Sequence, residues 1–163
     1  LRALPQAALI VDGPAGHPGL APLQRQARRL GVEERVRFVH LSRPQVFRAM
    51  EAADLYVSAT SSDGLPISLT EAMYFGMVPV VYRLESLMPP LVDRQNGVCF
   101  DDLNSESLAA AVVEAWGLAK GKPAPARREA NLNTLMAHFN RDHHVGELVR
   151  AYAALTGTTD SAA

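Results

Sequence analysis

Two carboxylates, Asp63 and Glu71, stand in the run Ser61-Ser62-Asp63-Gly64-Leu65-Pro66-Ile67-Ser68-Leu69-Thr70-Glu71-Ala72-Met73. This run joins a strand-like segment to a helix-like one. At such a junction the first backbone N–H groups of the helix and its positive dipole end favour an anion such as a phosphate. Gly64 lets a ligand come close to the main chain, and Ser62, Leu65 and Pro66 complete the loop. A carboxylate accepts short, strong hydrogen bonds from sugar hydroxyls. A nucleotide sugar has a diphosphate with hydroxyls on both sides, so it asks for both kinds of group. Plain structural readings compete with this. Ser68-x-x-Glu71 has the spacing of a capping box, and an Asp before a Gly is a common turn pair.

The elements needed to hold this loop are legible as an alternation. Ala7 to Val11 is a short apolar run ended by Asp12-Gly13-Pro14, which reads as a buried parallel strand and a turn. Leu20, Leu23, Ala27 and Leu30 recur at helical spacing, and Gly31 ends that helix. Val36 to Val39 is a second strand. Ser42 caps the next helix, Pro44 fits its first turn, and Val46, Phe47, Met50 and Ala53 form its buried stripe. Asp54 to Ser58 is a third strand. A helix is expected over 68–75, with Gly76 as its left-handed cap. Val78 to Tyr82 and Val98 to Phe100 are strands four and five. Leu108, Ala111, Val112 and Ala115 mark a helix opened by Asn104 or Ser105. A breaker at 120–125 precedes helices near 126–139 and 143–155. The domain is expected to span 1–156, with 157–163 a frayed tail. This order predicts an α/β fold, a Rossmann-like parallel sheet with helices on both faces. Ligands of such sheets sit at the carboxyl ends of the strands.

Composition narrows the function. The 163 residues, 48% of them hydrophobic, fit one globular domain, and the net charge of -1 argues against nucleic-acid binding through bulk charge. Cys99 is the single cysteine, so neither an internal disulfide nor a cysteine-rich metal site is expected, and a reducing, cytoplasmic setting is. No metal is expected from Asp142-His143-His144 either, because adjacent helical side chains diverge. His17 and His138 are isolated, and Arg28-Arg29 and Arg127-Arg128-Glu129 read as exposed faces. Gly13-Pro14-Ala15-Gly16-His17-Pro18-Gly19 lacks the spacing of a dinucleotide fingerprint. Trp116 reads as core or interdomain packing.

With these residues in order, the chain resembles the GT4-type glycosyltransferases, in the C-terminal half of their two-domain GT-B fold. Asp63 to Met73, then Gly76 and Pro79-Val80-Val81, looks like the family's E-x7-E segment. Leu9 to Pro14, Leu30 to Phe38, Ala53 to Ser58, and Pro89, Leu91-Val92 and Asn96-Gly97 match the segments around it. The resemblance implies that Glu71 binds the ribose hydroxyls of the donor and that Asp63 touches the transferred sugar. It places Gly64, Leu65 and Pro66, with Ser62 beside them, along the sugar and diphosphate. It places Gly13 in the glycine turn and His40 near the base. It implies anomeric retention, a UDP-, GDP- or ADP-sugar as donor and no other cofactor. The acceptor would be a glycan, lipid or small molecule, held by an N-terminal domain that also accounts for any peripheral membrane contact.

The sequence departs from the family at three places. Asp63 stands where a longer Glu is usual, Ser86 and Leu87 replace a Gly-Gly pair, and His40 replaces a glycine. The family's diphosphate-neutralising Arg and Lys lie upstream of a strand like Leu9 to Val11. Weak donor binding and no turnover are therefore expected of this chain alone. The last helices are expected to present an apolar patch that favours dimers. A non-catalytic module that binds a nucleotide or a partner is the alternative reading.

Overall fold

The computed structural model describes residues 4–62, 66–84, 91–139 and 141–156. In chain order the elements are β1 (Leu9–Asp12), α1 (Leu20–Arg29), a 3-10 turn (Glu33–Arg35), β2 (Val36–Val39), α2 (Arg43–Ala52), β3 (Leu55–Ser58), α3 (Ile67–Tyr74), β4 (Val78–Tyr82), β5 (Val98–Phe100), α4 (Ser105–Gly121), α5 (Ala124–Phe139) and α6 (Arg141–Thr156). Every strand pairing is parallel. Leu9 lies opposite Val36, Leu55 opposite Val78, and Val80 opposite Val98.

The core is built on β4. Its side chains alternate between faces, as a strand's must. Val78 and Val80 pack with Val98, Phe100 and the α4 residues Ala111, Ala115 and Ala119. Those alanines fall four apart, so they share one helix face and let α4 lie close on the sheet. Val81 points the other way, into Leu69, Met73, Leu91 and Val92. α3 and α5 cover that face, with Leu135 and Phe139 packed on the cluster.

Helix ends follow the residues that mark them. Asn104 accepts hydrogen bonds from the N–H groups of Glu106 and Ser107 and opens α4. Ser42 and Gln45 form a reciprocal capping box at the start of α2. Gly31 and Gly76 both have positive φ, 63° and 80°. After each, the chain closes a Schellman pair: Gly76 N–H donates to Met73 and Met77 N–H to Ala72.

Four expectations are corrected. The strands form two sheets among the described residues, β1-β2 and β3-β4-β5, rather than one. β1 is not buried: Leu9 is 39% and Ile10 51% exposed. It pairs with β2 along one edge, and no described strand flanks the other. The α2 stripe of Val46, Phe47, Met50 and Ala53 is only half-buried, and no residue of that helix is fully buried. Arg127 does not lie on an exposed face. It is 8% exposed, and its guanidinium donates to the carbonyls of Gly76, Ala119 and Lys122 and pairs with Asp54.

Candidate active site at the carboxyl edge of the strands

The carboxyl ends of β1 and β2 are clamped together. Gly13 N–H donates to the Val39 carbonyl at 3.0 Å, and Asp12 Oδ1 accepts from Leu41 N–H at 2.9 Å. Gly13 and His40 therefore sit side by side on this edge, His40 exposed. From β3 the chain turns through Ser58, whose hydroxyl meets Thr60 Oγ1 at 3.1 Å, to the exposed Ser62. Asp63, Gly64 and Leu65 lie outside the described residues, as do Ser86 and Leu87. Pro66 then opens α3 at its N-cap.

α3 begins one residue earlier than the sequence predicts, and this changes the meaning of Glu71. With Pro66 at the N-cap, Ser68 lies inside the first turn and the Ser68–Glu71 capping box does not form. Among the described residues the helix has no side-chain cap, and its first turn carries no acidic residue. The first N–H groups of a helix have no partner within it, so this end favours an anion. Ser68 Oγ instead meets Tyr56 OH from β3 at 2.8 Å. Glu71 pairs with Arg43, the first residue of α2. Its side chain is 17% exposed, against 62% for Arg43. The structure thus removes the capping alternative and joins Glu71 to the edge that carries His40, three residues before Arg43.

Arg43 was not singled out from the sequence. A signal was available: Ser42-Arg43-Pro44 follows the second strand directly, so the cation had to fall on the functional edge. The guanidinium also lies over the Phe47 ring, 4.7 Å from its centroid. Elsewhere, burial raises the Cys99 thiol above its usual value of 9.0, opposed by Arg83 and reinforced by Asp101 and Asp93. A small crevice lined by Met77, Val78, Asn96, Arg127 and Asn131 lies at the opposite ends of the strands, and the Arg127 and Asn131 side chains there already donate to main-chain carbonyls. Among the described residues no three His, Cys, Asp or Glu side chains group as metal ligands. No described helix is long and apolar enough to cross a membrane.

Residues 1–120 match the family of glycosyl transferases group 1. The chain belongs to that family. One relative is the GDP-mannose:cellobiosyl-diphosphopolyprenol alpha-mannosyltransferase of Xanthomonas campestris, 26% identical over 157 residues. That match takes in 94% of this chain and 40% of the relative. Among solved structures, sucrose-phosphate synthase from Thermosynechococcus elongatus superposes with a TM-score of 0.64 at 18% identity, over 96% of this chain and 40% of that one. HepE of Anabaena, solved in complex with UDP, gives 0.57 at 24% identity, over 82% of this chain and 42% of that one. The fold is the α/β, Rossmann-like fold of the C-terminal domain of GT-B glycosyltransferases. This group 1 glycosyl transferase chain spans about 40% of the length of the mannosyltransferase.

Proposed function

We propose that this chain is the donor-binding half of a retaining, GT4-type glycosyltransferase that moves a sugar from a nucleotide sugar to an acceptor held by another domain. The observation that carries this is Glu71. It is largely shielded, it is free of capping duty, and it is fixed by Arg43 at the edge where parallel α/β sheets take their ligands. Glu71 receives the ribose hydroxyls of the donor. The open start of α3 receives the diphosphate, whose charge grows as the sugar departs. Gly13, His40, Ser62, Gly64, Leu65 and Pro66 line the path from base to sugar, and Asp63 meets the transferred sugar. HepE, with the same fold, was solved with UDP, and the mannosyltransferase is named for a GDP-sugar donor. Both support a nucleoside diphosphate sugar here.

Titration with UDP, GDP and ADP, followed by amide chemical shifts, tests the reading. Saturable shifts confined to Gly13, His40 and residues 62–71, with one base preferred, are expected. Glu71→Gln should weaken that binding by about tenfold or more, the worth of a charge-assisted hydrogen bond. No saturable shift with any of the three at millimolar concentration overturns it.

A further inference from the structure

We infer that Arg43 is a positioning residue that sets the Glu71 carboxylate for its hydroxyl ligand, an inference that rests on the donor-binding reading above. An ion pair whose cation is 62% exposed contributes little to stability. The cation nonetheless has a second contact. The guanidinium is held on one side by the Phe47 ring at 4.7 Å. That ring packs in turn on Phe75, with centroids 5.6 Å apart, and Phe75 is the C-cap of the helix that carries Glu71. Arg43, Phe47 and Phe75 form a column that braces α2 against α3, and Glu71 is tied to the top of it.

The consequence lies in how a carboxylate is used. Glu71 has two oxygens, each with two acceptor positions. Arg43 Nη2 donates to Oε1. With that oxygen engaged, the side chain is fixed and Oε2 is presented in one direction. Without Arg43, the torsions of Glu71 would have to be ordered by the ligand itself, at a cost to affinity. Arg43 needs no contact with the donor to do this. Its effect should show only for ligands that use the Glu71 carboxylate, meaning those with ribose hydroxyls.

The experiment compares whichever of UDP, GDP or ADP binds best with its 2′,3′-dideoxy counterpart. It is run on the wild-type chain and on Glu71→Gln, Arg43→Met, Arg43→Lys and the Glu71→Gln/Arg43→Met double variant, with melting temperature measured on each. Methionine keeps an apolar stem against Phe47 and removes the charge. The wild type should prefer the ribose form by about tenfold or more. Arg43→Met should lose most of that preference while its affinity for the dideoxy form stays unchanged. Arg43→Lys should restore part of it, and the double variant should lose no more than Glu71→Gln alone. A residue that served only to hold α2 would weaken both nucleotides alike and lower the melting temperature. If Arg43→Met keeps the ribose preference while Glu71→Gln loses it, the inference fails and the donor-binding reading stands. If the wild type shows no ribose preference, both fall. Should Arg43→Met unfold, Arg43→Leu takes its place: an unaltered ribose preference with the donor removed overturns the positioning role.

Discussion

A single guanidinium ties three segments of the chain to α5. Arg127 reaches from α5 to the loop after α3, to the end of α4 and to Asp54 before β3. Asn131, one turn on, donates to the carbonyls of Met73 and Met77. Gly76 and Met77 lie in the turn after α3, and their carbonyls take these side-chain donors in place of water. Arg127→Met should therefore leave buried acceptors unpaired and destabilise the fold by about 2–4 kcal/mol, read as a shift of the urea midpoint. A change within about 0.5 kcal/mol would mean that the carbonyls find water instead. The sequence hid this residue because Arg127-Arg128-Glu129 has the composition of a solvated face. The periodicity was present nonetheless: positions 127, 131, 135 and 139 fall on one stripe whose later members, Leu135 and Phe139, pack on the core. Cys99 carries a second prediction at this scale. Burial holds its thiol in the neutral form, and the thiolate is the reactive species. Iodoacetamide at pH 8 should thus label it more slowly than a free cysteine, and the rates should converge when the protein is unfolded in urea. Equal rates in the folded state would contradict the burial.

Elements were read well where an end is written in local chemistry. Gly31, Ser42, Gly76 and Asn104 each act where their residue type predicts, because a positive φ or a side-chain acceptor is a property of the residue and its neighbours. The start of α3 was missed by one residue. Ser68 looks like a cap, but Tyr56 from another element offers its hydroxyl a partner, and no local pattern reveals that. At the far end of α3, Gly76 does more than reverse the chain. A Cβ there would lie 2.8 Å from the Ala124 carbonyl oxygen and 3.1 Å from the Arg128 main-chain nitrogen, so α5 packs directly on it. Gly76→Ala combines a left-handed backbone with a clash against main chain that cannot swing away. It should cost about 2 kcal/mol or more. The loss should appear in chemical denaturation and fall together with the shifts of Arg127, whose Nε donates to the same glycine. A loss no greater than for Gly31→Ala, which has the positive φ but nothing near its Cβ, would mean that α5 yields easily.

At the scale of the molecule, the sequence announced five parallel strands in order but not how they divide. Hydrophobic runs report burial in the finished protein, and Leu9-Ile10-Val11 is as apolar as Val78 to Val81. Yet β4 is flanked on both edges and buried, whereas among the described residues β1 has a neighbour on one edge and exposed faces. The same holds at the C-terminus. Val145, Leu148, Val149, Tyr152 and Leu155 recur at helical spacing on α6 and are all exposed, Leu155 at 84%. This is the apolar patch expected of the last helices. Both features are apolar surface left exposed among the described residues. Stability should therefore be uneven. Opening β4 breaks pairings on both sides and exposes the core, so its amides exchange only when the whole fold opens. Opening β1 costs one row of hydrogen bonds and exposes little that is not already wet. Amide hydrogens of Ile10 and Val11 should exchange about a hundredfold or more faster than those of Val80 and Val81. An unpaired apolar strand edge is also a template for association, so protection of β1 should rise with protein concentration while that of β4 does not. Equal protection of the two strands at low concentration would mean that β1 is held as firmly as the core, and that the division into two sheets does not describe the chain in solution.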